Sequence, residues 1–275
     1  MISILNNARR QAASGGGGAT PYVYILDEYP AYAAFSLQKL SASYSGNSIR
    51  VRRSSDNAEQ NIGFVDNILD ASSLLTFVGA GDGFVTTAYN QLNVAYNFTQ
   101  TTANSQPKIV SSGALITDTN GFAAIQFDGV DDFLLSESIN WVTQLDSYRV
   151  GSTSDTKFTM ISGAVDKYSF VVQDGSTNTL IHANYGSPSL YVNDVLKTPS
   201  SRGDNYDAIS IGTPSVVAHV NVSHSAWLSS SKIGSYWVAG GYEYDGLLQE
   251  FIFYNTNTTS DRSAINTILM DKYVP

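Results

Sequence analysis

The feature that most constrains the fold of this chain is an Asp-Gly pair between two apolar runs. Asp128-Gly129 separates a run from Ala124 to Phe127 from a second run, Phe133-Leu134-Leu135. Glycine accepts positive φ without steric cost and aspartate caps its own turn, so the pattern predicts two short strands joined by a tight turn. Similar turn signals recur at the spacing of roughly 8–12 residues that is typical of a β-sandwich.

The composition agrees with an all-β fold. Charged residues make up 14% of the 275 residues, well below the ~25% of an average soluble domain. Ser, Thr, Asn and Gly carry the polarity instead, and 17 Tyr with 12 Phe favour strands. We therefore predict an all-β, antiparallel β-sandwich with a few short helices, in which residues 21–275 form one domain.

Local patterns predict the individual elements. Alternating apolar and polar residues predict strands, and apolar residues about every 3.6 positions predict helices. The predicted strands include Tyr22–Leu26, Ile49–Arg53, Phe84–Tyr89 and a hairpin about Asn193-Asp194; the predicted helices are Ala31–Leu40, Ser72–Val78 and Thr259–Tyr273.

Charge and cysteine content exclude several functional classes. The net charge is −9, and an acidic protein does not offer the basic face that nucleic acid requires. The absence of cysteine excludes disulfides, thiolate catalysis and cysteine-ligated zinc. No apolar run reaches the ~18 residues of a membrane span. The first residues lack a signal-peptide pattern, so we expect synthesis in a cytoplasm without export by a cleaved signal.

The first 20 residues form a separate segment. They contain Arg9 and Arg10 and no acidic residue, and Gly15–Gly18 is a flexible linker by composition. A linker is useful when something lies on both sides, so we predict an arm that anchors the chain to another protein. The alternative is a frayed terminus without a role. The predicted anchoring residues are Ile2, Ile4, Leu5, Arg9 and Arg10.

Residues 33–64 and 81–93 resemble a known family. The resemblance rests on an S-x-Y-x-G turn, an R-V-R-R strand, an S-D-N segment and a Y-N-Q motif. They are carried by Ser43, Tyr44, Gly46, Arg50–Arg53, Ser55–Asn57, Tyr89, Asn90, Gln91 and Asn93. This pattern is similar to the opening of the arabinofuranosidase B sandwich domain, although Asn90 replaces the usual Asp and Leu92 the usual Ser-Gly pair. The resemblance covers roughly the first 130 residues.

The second half resembles the concanavalin A-like, laminin-G-like jelly rolls. The resemblance rests on F-D-G-V-D-D-F-L at residues 127–134, on G-L-L-Q-E-F-I-F-Y-N at 246–255 and on the closing helix. Proteins that join these two signatures look like bacteriophage tail, fibre, spike or capsid-surface components. The resemblance implies a concanavalin A-like jelly roll and a place on a virion surface.

Two acidic groups are candidates for glycoside hydrolysis, which needs a pair of carboxylates. The first is Asp128, Asp131 and Asp132, and the second is Glu243, Asp245 and Glu250. In the laminin-G-like pattern the Asp trio is a turn and strand-edge device. No segment matches the catalytic motifs of the arabinofuranosidase family, so we predict no catalytic residues.

Calcium is the one metal that these acidic residues could hold. Calcium takes about 6–8 oxygen ligands, often from loops, and the candidates are Asp128, Asp131 and Asp132 or the pair Asp204 and Asp207. Neither group has a diagnostic spacing. We therefore predict no cofactor, with calcium as the alternative.

A run of aromatic residues is the candidate ligand site. Sugars stack on flat aromatic rings with a few polar groups around them. The predicted carbohydrate-binding residues are Trp227, Tyr236, Trp237, Tyr242 and Tyr244. The alternative is that some of them belong to the sandwich core.

These observations lead to one functional expectation with two alternatives. We expect a non-enzymatic bacteriophage virion surface protein, held to other virion proteins by its arm, that contacts host-surface glycan and forms a trimer or pentamer. The first alternative is a glycoside hydrolase or depolymerase acting on host polysaccharide. The second is a purely structural vertex component.

Overall fold

A computed structural model gives the fold. It describes residues 22–92, 96–136, 144–153, 157–163, 169–173, 189–198, 204, 209, 212–222, 231–235 and 243–274. None of the described helices is both long and apolar enough to cross a membrane.

Strands dominate the described chain. They are β1 Ala33–Ser36, β2 Ile49–Arg53, β3 Glu59–Ile62, β4 Phe64–Val65, β5 Ile68–Leu69, β6 Gly83–Ala88, β7 Phe98–Thr99, β8 Lys108–Ser111, β9 Ala114–Leu115, β10 Ile125–Asp128, β11 Leu134–Ser136, β12 Asp146–Thr153, β13 Lys157–Gly163, β14 Ser169–Gln173, β15 Ser189–Val192, β16 Val195–Lys197, β17 Ser215–Val220, β18 Ser231–Ile233 and β19 Asp245–Tyr254. The helices are α1 Ile25–Glu28, α2 Ala71–Val78 and α3 Arg262–Tyr273, with a 3₁₀ turn at Ala103–Ser105.

The strands pair in two antiparallel groups. In the first group, β1 and β10 share one edge of β19, and β12, β17, β15 and β16 follow on its other side. In the second group the order is β3, β2, β6, β7, β11, β18, β13 and β14. Strand β8 joins the groups, because it pairs with both β6 and β10. This confirms the predicted antiparallel β-sandwich.

Two hydrophobic layers hold the sandwich together. The first lies between the strand groups and includes Phe98, Phe127 and Phe253. The second lies between α3 and the outer face of the first strand group, which contains β19, and it includes Tyr148 and Ile252. Alternate residues of a strand point to opposite faces, so β19 supplies both layers and is buried on both sides.

Several local predictions are confirmed. Strand β2 matches its predicted bounds, and α2 begins one residue before its predicted start and ends as expected. Helix α2 is capped by Asp70, whose Oδ1 accepts a hydrogen bond from the Ser73 amide. The β15–β16 hairpin turns through positive φ at both Asn193 and Asp194, as a two-residue turn requires. Helix α3 lies within the predicted range.

Two local predictions near the start are wrong. Residues predicted as a strand over Tyr22–Leu26 lead into helix α1, and the predicted helix Ala31–Leu40 contains strand β1. All four residues of β1 pair with β19 and are buried. Ala33 packs in the inner layer and Ala34 in the outer layer. A small residue suits a strand covered on both faces, so tertiary pairing overrides the helical spacing.

The Asp128-Gly129 turn has the predicted strands on both sides, but these strands do not pair with each other. Strand β10 pairs with β19 and β8, whereas β11 pairs with β18 and β7. Gly129 has a φ of 71°, and a Cβ there would lie 2.7 Å from the Asp245 Cβ. The turn therefore carries the chain from one strand group to the other past β19.

Candidate functional site

Three carboxylates meet at this crossing turn. One oxygen from each of Asp128, Asp131 and Asp132 lies within 4.8 Å of the others. The Asp128 Oδ1 accepts hydrogen bonds from the amides of Val130, Asp131 and Asp132 at 2.9, 3.3 and 3.4 Å. Asp128 therefore caps the turn, which is the role that the sequence predicted for this trio.

Asp132 has the most unusual environment of the three. Its side chain is buried, and its Oδ2 accepts a hydrogen bond from the Asp128 amide at 3.1 Å. Loss of hydration on burial, followed by the negative charges of Asp128 and Asp131, raises the pKa of Asp132 to about 7. Asp132 can therefore hold a proton near neutral pH and release it with a small change in its surroundings.

Asp132 lines a cleft of about 710 Å³, which we call the turn cleft. Its walls come from β2, β6, β8, β10, the 3₁₀ turn, the crossing turn and the start of β19. The lining residues are Arg52, Asn57, Phe84, Ala103, Asn104, Gln106, Lys108, Gln126, Asp128, Asp132 and Asp245. Amides, carboxylates and two cations therefore face one space, which is the kind of polar lining that binds a hydroxyl-rich ligand.

The cationic wall of the turn cleft is organised around Phe84. The Arg52 guanidinium carbon lies 4.6 Å and the Lys108 Nζ 5.6 Å from the centre of the Phe84 ring. Arg52 also donates from Nε to Gln106 and from Nη1 to Asn57. Its neighbours Arg50 and Arg53 form ion pairs with Glu59 and Asp56 instead. Thus Arg50 and Arg53 are salt-bridged residues, and Arg52 is a cleft residue.

The second predicted acidic group does not form one cluster. Asp245 opposes Asp128 in the β10–β19 register and lines the turn cleft. Glu250 is buried under α3, where its Oε2 accepts hydrogen bonds from Ser36 Oγ and Tyr273 Oη, each at 2.8 Å. Asp245 is the first residue of β19 and Glu250 lies five positions further along the strand, so the two side chains do not meet, and Glu250 has a structural role.

Of the five aromatic residues predicted to bind carbohydrate, the structure describes Tyr244 alone. Tyr244 is 2% exposed; its hydroxyl donates to the Ser152 carbonyl at 2.6 Å, and its ring packs against Phe127. A buried ring cannot stack on sugar, so Tyr244 is corrected to a core residue. The other members, Trp227, Tyr236, Trp237 and Tyr242, lie outside the described residues, as do Asp207 and the anchoring residues Ile2, Ile4, Leu5, Arg9 and Arg10.

The turn cleft contains groups that suit calcium, but the described ligands are few. The Asp trio provides carboxylate oxygens, whereas calcium takes about 6–8 oxygen ligands. The Asp128 Oδ1 is engaged by three amides, and the Asp131 Oδ2 accepts from Ser105 Oγ at 2.9 Å. A bound ion would have to complete its shell with water or ligand oxygens.

Sequence reasoning missed a buried arginine next to this region. Arg149, in the middle of β12, is 2% exposed, and its Nη1 donates to the Tyr244 hydroxyl at 3.0 Å. Burial, followed by the positive charge of Arg149, lowers the pKa of nearby His219 to about 3. The sequence does contain an indication of this buried arginine, because Arg149 is a single charged residue between the apolar residues Tyr148 and Val150.

Comparison with known proteins identifies fold relatives only. No family model matches the chain, and no curated protein matches it. Solved structures do match, at TM-scores of 0.57, 0.57 and 0.56 and identities of 16%, 14% and 14%. They are a GH54 α-L-arabinofuranosidase soaked with a cyclic sulfate inhibitor, a mutant of such an enzyme soaked with 4-nitrophenyl α-L-arabinofuranoside, and an arabinofuranosidase complexed with arabinofuranosyl-α-1,2-xylobiose.

The match extends well beyond the segments that carried the sequence resemblance. It covers 91%, 91% and 90% of this chain, but only 65%, 65% and 64% of the solved chains, so this chain spans less than two thirds of their length. At sequence identities this low, the match shows that the chains share a fold. The chain therefore has the jelly-roll β-sandwich fold that GH54 arabinofuranosidases have.

Proposed function

We propose that this chain acts on polysaccharide as a glycoside hydrolase, with the turn cleft as its substrate site. The observation that carries the proposal is the placement of Asp132, with its raised pKa, beside Asp128 and Asp131 in a polar cleft. The arabinofuranosidase fold supports a carbohydrate substrate. This reading replaces the non-enzymatic expectation as the leading function.

The chemistry follows from the different environments of the two carboxyls. A glycosidase needs one carboxyl that is protonated near its working pH and one that is charged. Asp132 is the acid, which donates its proton to the leaving glycosidic oxygen, while Asp128, held in place by the turn amides, attacks the anomeric carbon; water then hydrolyses the bond between the sugar and Asp128. An oxygen separation within 4.8 Å is nearer the ~5 Å of retaining enzymes than the larger spacing of inverting ones.

The test measures turnover with a matched pair of variants. The full chain is incubated with 4-nitrophenyl α-L-arabinofuranoside, arabinan, xylan and host capsule, and nitrophenol or reducing sugar is measured. Asp132→Asn should reduce turnover at least about a hundredfold, because general acid catalysis contributes on that order. Asp271→Asn, on the exposed side of α3, should keep it. Absence of turnover on every substrate, or full activity in Asp132→Asn, would contradict the proposal.

A non-enzymatic attachment protein is the second candidate. The observation that favours it is that carboxylate oxygens of Asp128 and Asp131 already accept hydrogen bonds that stabilise the turn. In this case the turn cleft binds glycan without cleaving it, on a virion surface. Glycan binding without turnover, lost in Asp132→Asn or in Arg52→Met, distinguishes it from the first proposal.

The anchoring arm remains part of this second candidate. Its basis is the composition of residues 1–20, which join a basic apolar segment to a glycine linker. Deletion of these residues should abolish incorporation into particles while the remaining protein stays folded and soluble. Particles that contain the truncated protein would show that the arm is not the anchor.

A further inference from the structure

Arg149 is a buried cation that forms no salt bridge with any of the described residues. Its Nη1 donates to Tyr244, but its Nε and Nη2 are buried and have no hydrogen-bond partner within the described part of the chain. A guanidinium stays charged under almost all conditions, so burying it without a counter-charge is costly. A fold that retains such a group has either a use for it or a ligand that compensates it.

The two unpartnered nitrogens are neighbours on the guanidinium plane. The N–H bonds of Nε and Nη2 point in parallel from one edge, and this fork matches the two coplanar oxygens of a carboxylate. Tyr244 occupies the other side of the group through Nη1. The donor pattern therefore selects a planar, bidentate anion.

The neighbouring strand adds a polar group to the same face. Arg149 opposes Val217 in the β12–β17 register, and residues two positions apart on a strand share a face. Ser215 and His219 therefore flank Arg149. The Ser215 Oγ is also buried without a partner among the described residues. This face presents donors, and the described side chains on it include no carboxylate.

Tyr244 connects this face with the turn cleft. Its hydroxyl contacts Arg149, its ring packs on Phe127, which precedes Asp128, and the next residue, Asp245, lines the turn cleft. Tyr244 therefore links Arg149, on the inner face of the first strand group, to the end of β19 at which the turn cleft begins.

We propose that the Nε–Nη2 edge of Arg149 binds the carboxylate of an acidic sugar, with Ser215 Oγ as an additional donor. As a statement about substrate class, this rests on the proposed function, and it predicts a uronic-acid-containing glycan, whereas two of the similar solved structures carry neutral arabinofuranosyl ligands. Because Arg149 is 2% exposed, the side chains over it must open for the sugar to enter, so association should be slow.

The first experiment compares sugars that differ by one group. Galacturonate and galactose are titrated separately into the full chain by calorimetry, and acetate is titrated as a free carboxylate. Galacturonate should bind and raise the melting temperature, and galactose should do neither. Equal binding of galacturonate and galactose would contradict the carboxylate assignment. Acetate binding as tight as galacturonate binding would contradict the sugar assignment.

The second experiment changes the fork. Arg149→Lys keeps a positive charge but loses the bidentate edge, and should weaken galacturonate binding about tenfold or more. Arg149→Met should abolish binding, and its melting temperature without ligand shows whether it is folded. Arg50→Lys, at an exposed arginine paired with Glu59, is the control and should bind normally. Unchanged galacturonate binding by Arg149→Met would overturn the proposal.

Different results would contradict the acidic-sugar assignment and the proposed hydrolase function. Turnover of arabinan or xylan with no binding of galacturonate would remove only the acidic-sugar assignment. Binding of galacturonate that depends on Arg149, in a protein without turnover, would remove only the hydrolase.

Discussion

Asp146 accepts two hydrogen bonds from Thr258, from the backbone amide at 2.7 Å and from the hydroxyl at 2.8 Å, both at Oδ2. Its Oδ1 accepts from the Val222 amide at 3.1 Å and from Gln144 Nε2 at 2.8 Å. One fully buried carboxylate thus ties the start of β12 to the end of β17 and to the segment before α3.

Asp146→Asn should destabilise the protein more than most surface substitutions. The amide side chain would place N–H groups against existing donors, so two or more buried groups would lose their acceptor, at a total cost of about 3 kcal/mol. Urea denaturation measures the change. Asp261→Asn is the control, because Asp261 is exposed and makes no side-chain cap to α3. An equal effect of both substitutions would refute the role of Asp146.

Tyr244→Phe should destabilise the protein by about 2 kcal/mol. The substitution removes the hydroxyl that accepts from Arg149 and donates to Ser152, so a buried cation and a buried carbonyl each lose a partner. Tyr254→Phe is the matched control, because no described group pairs with the buried Tyr254 hydroxyl. We expect it to be neutral or stabilising in the same denaturation experiment. A loss in Tyr254→Phe as large as in Tyr244→Phe would contradict this account.

Asp132 should make the protein less stable as pH rises from about 4 to 7. Its pKa is about 7 in the folded state and near 4 when unfolded, so the folded protein binds the extra proton in this window. Ionisation of the buried carboxyl then lowers the free energy of unfolding, by about 1–2 kcal/mol once access of water from the cleft is allowed for.

Asp132→Asn should remove this part of the pH dependence. Burial also raises the pKa of Asp118, which leaves some slope in both proteins, so the difference between wild type and variant is the quantity to measure. Denaturation at pH 4, 5.5 and 7 provides it. A difference that does not change with pH would mean that Asp132 has an ordinary pKa.

Local chemistry is what the sequence predicts well. The two-residue turn at Asn193-Asp194 and the turn capping by Asp128 each depend on neighbours within a few positions. Strands with clear alternation, such as β2, were also predicted, because alternation reports which face is buried.

Pairing across long separations is what the sequence did not reveal. Strand β1 pairs with β19 across more than 200 positions, and this contact converts a helix-like pattern into a strand. Tyr244 was predicted to be a sugar-stacking ring, but Arg149, Ser152 and Phe127 surround it, and none of them is near it in the sequence.

The sequence by itself determined the β-sandwich class and the chemistry of its turns, because both follow from residue type and short-range spacing. Only the tertiary structure decided that the Asp128-Gly129 turn crosses between the strand groups, that Asp132 is buried in a cleft, and that Arg149 is enclosed without an acidic partner among the described residues. Burial and charge environment depend on strands brought together from distant parts of the chain, and they set the properties of both candidate sites.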